Sequence, residues 1–108
     1  MGFVYLILQV DVDGFETFKI GVSKNDPHLR VKQLSTGNPN QISLLYLYES
    51  EYYKKIENLL HRKYKAKQTL ANNEWFVLDE IDVSSFIDEC KRSDELIAFM
   101  SKNNHFYK

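Results

Sequence analysis

The first 22 residues carry the pattern of a β-hairpin, and this pattern limits the folds open to the chain. Residues 3–10 and 15–22 are rich in β-branched and aromatic residues, which favour strands. Between them lies Asp13-Gly14, a dipeptide typical of hairpin turns. The early apolar run Phe3–Leu8 has six residues, whereas a membrane-spanning helix needs ~20. The chain is therefore expected to begin with two antiparallel strands.

The middle of the chain is expected to form a helix, a strand and a second helix. Asp26 caps the first helix and Pro27 fits its first position, and the helix runs to about Ser35. A third strand at 42–48 follows, and Ser50 is expected to cap the second helix. The apolar residues that recur at helical spacing predict its buried stripe, which comprises Tyr52, Ile56, Leu59, Leu60 and Tyr64.

The last third predicts a short fourth strand at 74–78 and then two helices. Asp82 is expected to cap the first of these helices, and Ser93 the second. The order β-β-α-β-α-β-α predicts an α+β fold with a small, mostly antiparallel sheet flanked by helices. We expect residues 1–79 to form the catalytic or binding domain. Residues 80–108 are expected to form a C-terminal helical extension packed on the same domain.

Charge and cysteine content exclude several classes of protein. The net charge of −1 gives no overall basic field that would attract nucleic acid or an acidic membrane. Residues 1–72 nevertheless carry ten Lys/Arg against seven Asp/Glu, whereas residues 73–108 carry four against eight. Cys90 is the single cysteine, so no internal disulfide can form and no zinc site can rest on cysteines. Without a recognisable signal peptide, a cytoplasmic protein is expected, located in the host cytosol if it is viral.

Two candidate residues lie in the first half of the chain. Gly21 interrupts the second strand, which indicates either a bulge or the close approach of another backbone, such as one that carries a phosphate. Arg30 lies one turn before Leu34, at the edge of a helix face on which Leu29 and Leu34 are expected to be buried. An arginine at such an edge either covers the apolar face or binds a phosphate through its two-pronged guanidinium.

Two further candidates lie in the second half. Glu57 and His61 are four residues apart and therefore lie on one line of the second helix. They form either a surface pair or a site in which the carboxylate binds a divalent cation and the imidazole accepts a proton. The sequence Asn72-Asn73-Glu74 precedes the fourth strand. Glu74 is either an exposed charge or a second carboxylate that approaches the first.

In combination, these features resemble the GIY-YIG endonuclease superfamily. The resemblance covers residues 2 to about 79 and is closest to the phage- and virus-associated branch, whose second tripeptide reads Lys-Ile-Gly. Tyr5 in Phe3-Val4-Tyr5 matches the tyrosine of the first tripeptide, and Lys19-Ile20-Gly21 matches the second. The other matches are Gly21-Val22-Ser23 with Pro27 and Arg30, Gln33-Leu34, Thr36-Gly37-Asn38-Pro39, Glu57 with His61, and Glu74-Trp75-Phe76.

The resemblance implies an endonuclease that hydrolyses phosphodiester bonds with Mg²⁺ or Mn²⁺. It assigns the metal to Glu57 and a phosphate oxygen to Arg30. Tyr5 would orient or deprotonate the attacking water, and Lys19 would be the cation that lowers the pKa of its phenol. His61 would share the proton transfer or bind the phosphate.

The expected partner is nucleic acid, with DNA favoured over RNA, and not a membrane. Substrate contacts are assigned to Gly21, Ser23, Lys24 and Lys32. A homodimer through the C-terminal helices is a further expectation. Lys19 stands where many members of the superfamily have a second tyrosine, so a second hypothesis stays open. It is a module that binds nucleic acid or a phosphorylated nucleotide without cutting, partly through the basic residues between Arg62 and Lys67.

Overall fold

The computed structural model describes residues 1–69 and 74–103. The strands are short to moderate in length, and the last helix is the longest element. The elements are, in chain order, β1 (Gly2–Val10), β2 (Glu16–Ser23), α1 (His28–Ser35), β3 (Gln41–Ser50), α2 (Tyr53–Lys63), a 3-10 turn (Lys65–Lys67), β4 (Trp75–Phe76), α3 (Glu80–Ser84) and α4 (Phe86–Asn103).

The four strands form one antiparallel sheet in the order β3-β1-β2-β4. The hairpin β1–β2 keeps one register along its whole length, with Tyr5 opposite Gly21 and Ile7 opposite Lys19. At its turn, the Asp11 carboxylate accepts the backbone N–H groups of Asp13 and Phe15, both at 2.9 Å. The predicted hairpin and the α+β class with a mostly antiparallel sheet are both confirmed.

The two faces of the sheet have different roles, because side chains alternate along a strand. Val4 and Leu6 of β1 lie on one face and pack in the main core with α2 and α4. Tyr5 and Ile7 alternate with them in sequence and occupy the opposite face, where they are also buried. The helices contribute to the main core the side chains Ile56, Leu60, Phe86, Cys90 and Ile97.

Helix α1 packs less deeply than its sequence predicts. It buries no side chain, and Leu29 is 61% exposed, so the expectation that Leu29 is buried is wrong. An eight-residue helix that contacts mainly β3 offers too little surface to bury two leucines. The predicted start is close to the observed one, because Asp26 Oδ1 accepts the N–H of His28 at 3.0 Å.

The C-terminal helices differ most from the prediction. Asp79 caps the short helix α3, and Asp82 is the third residue within it, where the two side chains form a capping box. Ser93 does not start a helix, because α4 runs through it without a break. Phe86, Cys90 and Ile97 all lie on the buried face of α4, so core packing favours one continuous helix.

No helix in residues 1–69 and 74–103 is both long and apolar enough to cross a membrane.

Candidate functional site

The candidate site lies where the short strand β4 begins and the edge of β2 becomes open. The last paired residue of β2 is Lys19, opposite Trp75. The next residue, Ile20, donates its N–H to the backbone oxygen of Glu74 at 3.4 Å. Its carbonyl oxygen accepts a hydrogen bond from Nε2 of His61 at 2.8 Å. This edge therefore brings together β2, the start of β4 and helix α2.

The bond to Ile20 determines which nitrogen of His61 can accept a proton. A carbonyl oxygen can only accept, so Nε2 must carry the hydrogen. Nδ1 is then the nitrogen that can accept a proton when the ring is neutral. The ring is also held edge-on against Phe76, with centroids 5.1 Å apart. The Ile20 carbonyl is a backbone group, and no sequence motif indicated that His61 would bond to it.

Gly21 allows the phenol of Tyr5 to lie directly over the backbone of β2. A Cβ atom at Gly21 would be 2.4 Å from the Tyr5 hydroxyl oxygen, closer than atoms can approach. Tyr5 is only 2% exposed, so the ring has little room to move away. Of the two alternatives left open at Gly21, the bulge is excluded, because the β1–β2 register is unbroken there. The group that approaches Gly21 closely in this structure is the phenol.

Arg30 of α1 is the cation that acts on the Tyr5 hydroxyl. Its guanidinium lowers the pKa of the phenol through a hydrogen bond and through its charge. Burial has the larger effect, and the carboxylates of Glu74 and Glu57 add to it, so the pKa of Tyr5 is raised overall. The expected lowering of this pKa by Lys19 is therefore not observed. The phenol remains protonated at neutral pH.

Lys19 is instead paired with Glu74. Its Nζ lies 2.6 Å from Oε2 of Glu74 and 5.8 Å from the centre of the Trp75 ring. Lys19 is 4% exposed, so this ion pair balances a buried charge. The hydrogen bond from Lys19 lowers the pKa of Glu74, which keeps that carboxyl ionised. Asn72 and Asn73, which precede Glu74 in the predicted motif, lie outside the described residues.

Glu57 is half-buried, and its surroundings disfavour its charge. Burial is the main cause that raises its pKa, and the nearby Glu74 carboxylate raises it further. His61 and Lys19 act in the opposite direction. Glu57, His61, Lys19 and Glu74 thus interact electrostatically, and Glu57 and Glu74 also act on Tyr5. The sequence left open whether Glu74 is a second carboxylate that approaches Glu57, and these interactions indicate that it is.

The donor set suits a hard cation held by few protein ligands. Among the described residues, no group of three or more His, Cys, Asp or Glu side chains could hold a metal ion. Mg²⁺ usually keeps several waters and takes only one or two carboxylates from the protein. Glu57 is such a carboxylate. Burial makes its negative charge unfavourable and raises its pKa, and a cation beside it would stabilise that charge. The residues present therefore fit Mg²⁺ and do not fit a closed zinc site.

The expected substrate contacts lie around the end of β2 and on α1. Ser23 is the last residue of β2, and its Oγ accepts the N–H of Asn25 at 3.3 Å. Lys24 follows it and is exposed, as is Lys32 on α1. Ser23 and Lys24 thus lie on the segment that leads from β2 to Arg30, and Lys32 lies two residues beyond Arg30 on α1.

The comparisons with known proteins give one match. A family model, the T5orf172 domain, matches residues 2–91. No curated protein and no solved structure matches the chain significantly. The family match includes every candidate site residue described above and extends into α4. Because it covers most of the 108 residues, the chain belongs to the T5orf172 domain family.

Proposed function

We propose that the protein is a GIY-YIG-type endonuclease that hydrolyses phosphodiester bonds in nucleic acid, with DNA as the favoured substrate. The T5orf172 domain is phage-derived and occurs in GIY-YIG-like and nuclease-related proteins. The observation that supports the proposal best concerns Tyr5, Arg30 and Glu57. They come from β1, α1 and α2, yet Arg30 and Glu57 both act on the ionisation of the Tyr5 phenol.

Arg30 and Glu57 are suited to bind the reacting phosphate, Arg30 directly and Glu57 through a metal ion. Arg30 is exposed, so its guanidinium can bind two phosphate oxygens while it stays close to Tyr5. Glu57 would hold Mg²⁺ or Mn²⁺, which when bound supplies positive charge to the phosphate and the leaving oxygen. The guanidinium adds charge that is already in place before the reaction begins.

His61 is better suited than Tyr5 to accept a proton from the attacking water. The raised pKa of Tyr5 makes its phenol a poor base at neutral pH. The phenol can still orient a water through its hydroxyl oxygen. Nδ1 of His61 is the ring nitrogen that is left to accept a proton, because Nε2 is occupied by its bond to Ile20. Lys19 and Glu74 would keep this edge rigid and its charges balanced.

A cleavage assay on single- and double-stranded DNA and RNA tests the proposal. We expect Mg²⁺-dependent cleavage that chelation abolishes, and we expect Glu57→Ala to remove it. Glu51→Ala is the matched control, because Glu51 is an exposed glutamate that precedes the same helix. Cleavage that is unchanged in Glu57→Ala would rule out this site.

A second function, binding without cleavage, is favoured by one observation. Lys19 occupies the place of a second tyrosine and is held by Glu74, while the phenol of Tyr5 stays protonated. Such a site could grip a phosphate and lack an effective base. The two functions differ in a direct measurement: the module would bind nucleic acid in a salt-dependent manner and release it uncut with any divalent cation present.

A further inference from the structure

Ion pairs divide the basic residues of α2 and the following turn into two groups. Lys63 lies 2.9 Å from Glu89 of α4. Lys67 pairs with Asp82 and lies 3.6 Å from Asp79. These two lysines are thus bound to the acidic C-terminal helices. The basic run expected between Arg62 and Lys67 is therefore interrupted, and only part of its charge is available to a partner.

The second group forms a stripe along the outer surface of α2. Within residues 1–69 and 74–103, no carboxylate lies within ion-pair distance of Lys54, Arg62 or Lys65. All three are exposed. With one helical residue advancing 1.5 Å, Lys54 and Arg62 are separated by about 12 Å along the axis, and Asn58 lies midway between them. We call this surface the α2 stripe; its members are Lys54, Lys55, Asn58, Arg62 and Lys65.

The α2 stripe adjoins the candidate site. Lys54 comes three residues before Glu57 and therefore shares its side of the helix, and Lys65 begins the 3-10 turn that follows the helix. Going around the helix from the buried side, Glu57 and His61 come first and the stripe comes next. A depression of about 260 Å³ lies on the stripe and is lined by Lys55, Asn58, Leu59 and Arg62.

The charge of the α2 stripe is not balanced within its own helix. Glu57 is the single carboxylate of α2, and it faces the site. Exposed helices usually mix both signs, because like charges one turn apart repel each other. Helix α4 follows this rule: Arg92 Nη1 lies 3.1 Å from Oε1 of Glu89. The uniform charge of α2 is therefore a cost to the isolated chain that an anionic partner would relieve.

We propose that the α2 stripe binds the phosphates of duplex DNA beside the candidate site. This inference rests on the proposed function in that it takes nucleic acid as the ligand. The members of the stripe are not aromatic, and the tyrosine rings beside it, Tyr53 and Tyr52, lie at one end only, with each ring centre 5.9 Å from Nζ of Lys54 and Lys55 respectively. Proteins that hold single strands instead stack successive bases on aromatic side chains along the groove. A helix lying on a membrane would expose apolar residues, but Ile56 and Leu60 of α2 are buried in the core.

The test measures how binding of a short duplex depends on salt, for the intact chain and for a triple variant. The stripe variant carries Lys54→Gln, Arg62→Gln and Lys65→Gln. Each lost phosphate contact reduces the slope of log K against log salt by about 0.9 for duplex DNA, so three lower it by about 2.7. We expect this change together with affinity about tenfold weaker or more at low salt.

A control variant separates local contacts from net charge. Lys91→Gln, Arg92→Gln and Lys102→Gln remove the same three charges from exposed residues of α4. We expect this variant to keep the slope of the intact chain. Equal slopes for the stripe variant and the intact chain would overturn the inference, as would equal losses in both variants, or no duplex binding by the intact chain. If the stripe variant instead loses binding to acidic lipid vesicles and keeps its binding to duplex, the stripe belongs to a membrane contact and the inference is also overturned.

Cleavage measured in the same samples separates this inference from the proposed function. If the stripe variant loses its salt slope while no sample cuts DNA, the stripe is supported and the nuclease proposal fails. If the intact chain cuts DNA and the stripe variant binds and cuts equally well, the nuclease proposal stands and the stripe fails.

Discussion

At the scale of single residues, the position of the Tyr5 phenol depends on the absence of a side chain at Gly21. A Cβ atom on Gly21 would lie 2.4 Å from the hydroxyl oxygen, so the hydroxyl and a side chain at this position could not both be accommodated. Arg30 acts on the same phenol and lowers its pKa. The glycine of the second tripeptide thus places the tyrosine of the first, which gives both motifs one physical purpose.

A double-mutant cycle tests this dependence. Gly21→Ala should destabilise the fold by about 1–3 kcal/mol, because it overpacks a buried ring. In a Tyr5→Ala background the same change should cost less than about 0.5 kcal/mol, since the ring is gone. Urea denaturation measures both values. Equal costs in the two backgrounds would show that the phenol does not lie over Gly21.

Glu57 is expected to lower the stability of the fold at neutral pH. Its pKa is raised in the folded state, so ionised Glu57 costs stability once the pH exceeds the carboxyl pKa of the unfolded chain. Glu57→Gln should therefore raise the melting temperature at pH 7, by less than the ~4–8 °C that 1 kcal/mol produces. The gain should disappear below about pH 4, where the carboxyl is protonated in both states. Thermal melts across this range test it, with the exposed Glu51→Gln as control.

At the scale of elements, the Lys19–Glu74 pair joins β2 to the start of β4. Only two residue pairs connect these strands in the sheet, so a side-chain bond beside them carries unusual weight. Lys19 is buried, whereas the Glu74 side chain is 51% exposed. The pair joins a solvent-facing carboxylate to a buried ammonium. Loss of the carboxylate would leave that ammonium buried without this partner.

Glu74→Gln should lower the free energy of unfolding by about 1–2 kcal/mol at neutral pH. This loss is smaller than for a fully buried pair because Glu74 is half exposed. The pKa of Glu74 is lowered in the fold, so this stability is present above the pKa of the unfolded carboxyl and is lost as the pH falls through the folded pKa. Adding Lys19→Met should recover part of the loss. Denaturation curves against pH measure these effects, and Glu16→Gln, at the exposed start of β2, should show neither.

Elements that rest on local patterns could be predicted from the sequence. The hairpin follows from strand composition and from Asp13-Gly14, and the observed register agrees with it. The continuity of α4 could not be read from Ser93, because a good capping residue is tolerated inside a helix when core packing on both sides favours it. In the site, Lys19 and Glu74 are 55 residues apart, and local rules do not specify which of the available charges will pair over that distance.

At the scale of the whole molecule, α4 completes the core and balances the charge of α2. Asp94 accepts hydrogen bonds from Tyr48 at 2.7 Å and from Ser50 at 2.8 Å, which ties α4 to β3. Glu89 pairs with Lys63 of α2. The acidic last third of the chain therefore contacts the basic part directly. The net charge of the whole chain thus does not describe the electrostatic field at the candidate site.

The homodimer through the C-terminal helices stays a prediction. On α4, Leu96 is 50% exposed and Phe99 is 64% exposed. Burying these side chains against a second copy would remove apolar surface from water. Light scattering should then give the mass of a dimer that Leu96→Glu with Phe99→Glu converts to a monomer. A monomer at every concentration of the unmodified chain would contradict it.

The measurement that tests the central claim most directly is the cleavage rate of Arg30→Ala, Glu57→Gln and the double variant under identical conditions. If both side chains act on the same phosphate, their effects are not additive, and the double variant should be about as slow as the slower single variant. Losses that multiply fully would mean that Arg30 and Glu57 act independently, and a double variant that cleaves at the rate of the unmodified chain would place the chemistry elsewhere.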